Sequence, residues 1–132
     1  MSISERLSAF LANPSQVLTR ESDICYLFGN IDYGEADQYP DGMPEDDERY
    51  LDRIVMNGEP TERASKADDI SAFIILDRIH SDNCDAVGHA EHDQVWLKWD
   101  ICDLKGKATV QDILNLRALG VNTEGESLIM YV

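Results

Sequence analysis

The sequence predicts an α+β fold in which about four mostly antiparallel strands pack with two or three helices, and three observations support this. Apolar residues recur at helical spacing behind capping residues in two places, Ile3 to Leu11 and Val110 to Leu116. Gln94 to Asp103 alternates as a strand does, and Ser127 to Val132 (SLIMYV) is a short apolar run of the same kind. With 132 residues, of which 43% are hydrophobic and 8% aromatic, the chain can bury one core, so residues 1–132 are expected to form a single acidic domain.

Taken in order, Ser2-Ile3-Ser4-Glu5 has the form of a capping box, a hydroxyl followed three residues later by Glu. Ile3, Leu7, Phe10 and Leu11 then make one apolar stripe, and Asn13-Pro14 stops the helix because the residue before proline is forced out of helical geometry. Ile24 to Ile31 (ICYLFGNI) reads as a strand entering the core. Asp41-Gly42 marks a turn, and Pro44 suits the first position of a helix whose positive end Glu45 to Glu48 would complement. Tyr50, Leu51, Ile54 and Val55 form the buried side of that helix and Gly58 can end it; a strand over Leu51 to Met56 is the competing reading.

Gly58 to Asp69 is a polar loop, and Ile70 to Ile79 (ISAFIILDRI), apolar on both alternation sets, reads as a central strand covered on both faces. Ser81 to Asp93 is a long polar connection to the alternating strand Gln94 to Asp103. After the turn at Lys105-Gly106-Lys107, Thr109 and Asp112 form a second capping box, and Val110, Ile113, Leu114 and Leu116 follow as a helical stripe. Gly120 closes the helix, Asn122 to Gly125 turns the chain, and Ser127 to Val132 is a strand that is a candidate sheet edge. Internal repeats and heptads are absent.

Twenty-six acidic and 11 basic side chains give a net charge of −15 and an isoelectric point near 4.3. Direct nucleic-acid binding needs clustered Lys and Arg, and docking on an anionic membrane needs them too, so both are disfavoured. Met1 to Ala12 is amphipathic and carries Glu5 and Arg6, unlike a signal peptide, and no apolar run nears the roughly 20 residues of a membrane span. Cys25, Cys84 and Cys102 are an odd, sparse set suited to reduced thiols, so a cytoplasmic location is expected.

Two constellations bear on chemistry. His80, Cys84, His89 and His92 hold all three histidines and one cysteine within thirteen residues, a possible zinc ligand set, although the H-x3-C-x4-H-x2-H order matches no usual finger spacing. The HExxH spacing, a Gly-x-Ser-x-Gly elbow, a phosphate-binding glycine loop and a calcium loop are all missing. The other constellation is the acidic stretch Asp32 to Asp52. Between Asp32 and Glu48 it carries eight carboxylates and no Lys or Arg: Asp32, Glu35, Asp37, Asp41, Glu45, Asp46, Asp47 and Glu48. Tyr33 and Tyr39 are interleaved as aromatic anchors, and the run from Glu45 to Glu48 is expected to face water.

Carboxylates in a line can imitate phosphates or meet an Arg/Lys groove directly. In size and charge the chain is similar to nuclease-toxin immunity proteins and to phage anti-CRISPR or anti-restriction proteins that mimic DNA. The resemblance lies in profile and transfers no residues. The expected function is therefore non-catalytic: an acidic binding protein, without a cofactor, that inhibits a basic nuclease or nucleic-acid-binding complex by occupying its positively charged groove. A small metal-binding module or metalloenzyme built on the His80/Cys84/His89/His92 cluster, with zinc as its metal, is the alternative.

Overall fold

The computed structural model describes residues 3–29, 45–57, 66–81, 87–91, 93–124 and 126–131. Along the chain it contains α1 (Glu5–Ala12), α2 (Glu21–Phe28), α3 (Glu45–Asn57), α4 (Asp68–Ile79), β1 (Val87–Glu91), β2 (Gln94–Asp100), α5 (Ile101–Leu104), α6 (Val110–Ala118), β3 (Val121–Glu124) and β4 (Ser127–Tyr131). The fold is α+β: an antiparallel sheet in the order β1-β2-β4-β3, with the helices on one side.

The helices with strong local signals form where the sequence places them. The cap of α1 is Ser4 rather than Ser2, and its Oγ accepts from the Leu7 N–H at 3.2 Å while Leu7 and Phe10 turn into the core. The second capping box is complete: Thr109 Oγ1 accepts from Asp112 N–H at 3.1 Å, and Asp112 Oδ2 accepts from Thr109 N–H at 3.0 Å. Two orphan donors at the start of α6 are thereby satisfied. Helix α3 begins at Glu45 and buries Leu51, which decides against a strand there.

Two expected strands are helices. Ile24 to Phe28 belongs to α2, in which all five of these residues are buried and Gly29, at φ 86°, ends the helix in the left-handed conformation. Ile70 to Ile79 belongs to α4, which buries Ser71, Ala72, Ile75 and Leu76 on one face. In both segments apolar residues run on without the polar interruptions that give a helix its 3.6-residue signature.

The sheet is made of different segments from those expected, apart from β2 and β4. Part of the polar connection forms β1, which pairs with β2 through His89↔Trp96, Ala90↔Val95 and Glu91↔Gln94. β2 stops at Asp100, and Ile101 to Leu104 coil into α5. The turn expected from Asn122 begins later, because Val121 to Glu124 form β3 and pair with β4. β4 consequently lies between β2 and β3 and is not an edge.

Leu97 and Trp99 of β2, Leu128 and Met130 of β4 and Val121 of β3 face the helices and join their core. Trp99 stacks on Phe73 of α4, with centroids 6.3 Å apart, and its indole N–H donates to the His80 carbonyl at 2.8 Å. Among the described residues, no helix is long and apolar enough to cross a membrane.

Candidate acidic interface

The acidic stretch begins where α2 ends and runs into α3, so its placement depends on what holds those two helix ends. Asp47, in the first turn of α3, is fully buried. Its carboxylate accepts from Ser4 N–H at 2.7 Å, from Ser4 Oγ at 2.5 Å and from the Tyr26 hydroxyl at 2.5 Å. One side chain of α3 thus joins the cap of α1 to the middle of α2. Burial opposes ionisation of Asp47. The Ser4 and Tyr26 donors, with the Arg6 charge nearby, outweigh that and hold the carboxyl below its usual range. Arg6 completes the group, with its guanidinium 4.3 Å from the Tyr26 ring centre and 2.5 Å from Asp23 Oδ1.

The other end is fixed by Arg117 of α6. Its Nη1 donates to the Leu27 carbonyl at 3.0 Å and its Nη2 to Asp52 Oδ1 at 2.7 Å. It therefore satisfies a carbonyl at the end of α2 and pairs with α3. A methyl group added at Gly29 would sit 3.5 Å from this guanidinium. Burial lowers the Arg117 pKa, and the charges of Asp52 and Glu48 act against that shift.

These contacts correct one expectation about the run from Glu45 to Glu48. Asp47 is a buried structural group and is not available to a partner, whereas Asp46 is half-buried and Glu48 is exposed. Glu45 opens α3, and its side chain lies outside the described ones, while Asp32, Tyr33, Glu35, Asp37, Tyr39 and Asp41 lie outside the described residues altogether. Beyond its first turn the outer side of α3 carries exposed Glu48, Arg49, Asp52 and Arg53, a face of mixed sign. Within the described residues, the carboxylates of α3 that water reaches are half-buried Asp46 and exposed Glu48 and Asp52, the last paired with Arg117.

Sequence reading missed a second carboxylate grouping, at the corner where β2 meets α5. Asp100, Asp103, Glu126 and Glu21 all lie close enough to raise the pKa of the exposed Cys102 thiol, after a first contribution from desolvation. Asp100 is itself pushed above its ordinary value by burial, then by Asp103 and Glu126. The local signal was present: Asp103 sits three residues after Asp100 and accepts from its N–H at 2.9 Å, as in a capping pair. Cys25, the other described cysteine, is buried, and desolvation together with Glu21 pushes its thiol up to about 12.

Of the four proposed metal ligands, His80 alone has a described side chain. Its Nδ1 lies 2.6 Å from Lys107 Nζ, and its Nε2 lies 3.6 Å from Asp103 Oδ1. His89 pairs with Trp96 in the sheet but its side chain is outside the described ones, as are Cys84 and His92 entirely. Among the described residues, no group of three or more His, Cys, Asp and Glu side chains is arranged to hold a metal ion.

No protein-family model matches the chain, and no curated protein or solved structure matches it significantly. The functional reading therefore rests on the charges themselves. Among the described carboxylates, Asp47 and Asp112 accept hydrogen bonds inside the fold, whereas Glu48, Asp52, Asp69 and Asp77 are exposed.

Proposed function

We propose that this protein is a cytoplasmic, non-catalytic inhibitor that uses its acidic surface to occupy the positively charged groove of a basic, nucleic-acid-handling protein. Immunity proteins and DNA-mimicking anti-CRISPR or anti-restriction proteins represent this kind of activity. One observation carries the reading. The chain carries a net charge of −15, and Arg6 and Arg117, two of its 11 basic side chains, are largely buried in ion pairs with Asp23 and Asp52. Solubility needs far less charge than this, and self-repulsion opposes the compact state. A basic partner would relieve that repulsion and be steered to the surface by it. The contact is assigned to the stretch from Asp32 to Glu48, with Asp47 removed from it as a structural anchor.

Affinity capture at low salt with duplex DNA as competitor tests the proposal. The expected result is a basic protein that DNA and raised salt both displace, and that the double variant Asp46→Lys/Glu48→Lys no longer holds. Undiminished capture by that folded variant, or indifference to DNA, would overturn it.

A further inference from the structure

Helix α4 buries one side in the fold but also carries large apolar residues on its exposed side. Ser71, Ala72, Ile75 and Leu76 are buried, whereas Ile70 and Ile74, one turn apart on the opposite side, remain 49% and 44% exposed. Two large apolar side chains exposed one turn apart make an apolar ridge that has no cover among the described residues. Of the described exposed large apolar residues (Val17, Ile70, Ile74, Val87 and Tyr131), these two alone share a helix. Asp77 follows Ile74 at the next turn of the same ridge and Asp69 precedes Ile70, both exposed. Arg78, four residues after Ile74, is half exposed but is offset by Asp112 of α6, to which it donates at 2.7 Å, and exposed Lys66 lies just before the helix beside exposed Asp68.

Charge decides between the possible covers. A second copy would set the same carboxylates against each other on top of a net charge of −15 in each chain. A cationic surface bearing an apolar cleft would complement both the isoleucines and the aspartates. We propose that the Ile70/Ile74 ridge, flanked by Asp69 and Asp77, is the apolar anchor of the interface with a basic protein partner. This inference rests on the acidic-inhibitor reading above and adds to it an apolar contact on a described helix. Carboxylates steer and select a partner, whereas desolvated apolar side chains at the centre of an interface supply most of the affinity.

The test uses two synthetic 18-residue helical peptides of equal positive charge, one with Leu and Lys at amphipathic spacing and the other with Ser in place of Leu. Fluorescence anisotropy at low salt should show both binding the wild-type protein, the Leu/Lys peptide more tightly. Ile70→Ala/Ile74→Ala, which keeps the helix by replacing each residue with a better helix former, should weaken the Leu/Lys peptide about tenfold and leave the Ser/Lys peptide unchanged. Equal binding of the Leu/Lys peptide by wild type and variant would overturn the anchor while leaving the acidic reading intact. A wild-type dimer in sedimentation that the variant converts to monomer would also overturn it, making a second copy the occupant. Failure of both peptides to bind at low salt would remove the acidic reading and this inference with it.

Discussion

The Tyr26 hydroxyl donates to the buried carboxylate of Asp47 at 2.5 Å, across 21 residues of sequence, and this bond ties α2 to α3 on either side of the acidic stretch. Arg117 makes a second tie between the same two helices through the Leu27 carbonyl and Asp52. Asp47, which makes the first of these ties, is itself one of the run Glu45 to Glu48, so a carboxylate count overstates the charge at the surface.

Asp47 and Glu48 should therefore behave oppositely on substitution. Asp47→Ala leaves the partly buried Ser4 N–H and the buried Tyr26 hydroxyl without their acceptor, at an expected cost of about 3 kcal/mol. Glu48→Gln, at an exposed position, should stay within about 0.5 kcal/mol of wild type. Urea denaturation of the two variants checks this. Equal midpoints would mean that the buried network does not hold α3.

The pH dependence of stability follows from two carboxyls shifted in opposite directions. Asp47 is held below its usual range, so its contribution is present above the unfolded-state value of about 3.9 and is lost as pH falls through the folded value. Asp100 is raised, so the fold favours its protonated form, and stability is lost as pH rises through its folded value. Asp100→Asn should accordingly raise the melting temperature at pH 7 and have little effect at pH 3, since Asn still serves at a helix cap. Asp47→Asn should lower it at pH 7, by an amount that shrinks in acid. Parallel melting curves for wild type and Asp100→Asn across that range would contradict the Asp100 assignment.

The legible parts of the fold are those where the sequence carries contrast. Ser4, Thr109 and Asp112 announce their helices because a cap needs particular side chains at fixed spacing, and Gln94 to Trp99 announces β2 because one face is covered and the other is less so. Ile24 to Phe28 gave the wrong element because five neighbouring side chains are all buried, which erases the period that separates helix from strand. Gly29 was the available clue, as a left-handed helix end. β1 was hidden for the opposite reason: Val87 and Ala90 are its apolar side chains, too few to mark a strand. Within the site, charge was legible and burial was not. Nothing local distinguishes Asp47 from Asp46; only the approach of Ser4 and Tyr26 from distant elements does so.

Arg117 and Gly29 should prove sensitive together. Arg117→Lys keeps the charge but cannot donate in two directions to Leu27 and Asp52, and a loss of about 1–2 kcal/mol is expected. Gly29→Ala forces a side chain into φ 86°, against the guanidinium, at about 1 kcal/mol or more. Because a Cβ added at position 29 would lie 3.5 Å from the Arg117 guanidinium, the double variant should depart from the sum of the singles. Additive denaturation midpoints would show that a side chain at position 29 does not interact with Arg117.

Thiol chemistry separates the two described cysteines without disturbing the fold. In a Cys84→Ser background, the exposed Cys102 should be alkylated by iodoacetamide while native Cys25 resists, because Cys25 is buried and its thiol is pushed up to about 12. Cys102 should nonetheless react more slowly than a free thiol at pH 8. Its own desolvation comes first, and then Asp103, Asp100, Glu21 and Glu126 disfavour the thiolate. The carboxylate part of that effect is electrostatic, so raised salt and Asp103→Asn should each speed labelling of Cys102 and leave Cys25 protected. Mass spectrometry of labelled peptides over time reads both rates. A Cys102 rate indifferent to salt and to Asp103→Asn would mean that the carboxylates of this corner do not act on it, and that the second acidic grouping is not formed in solution.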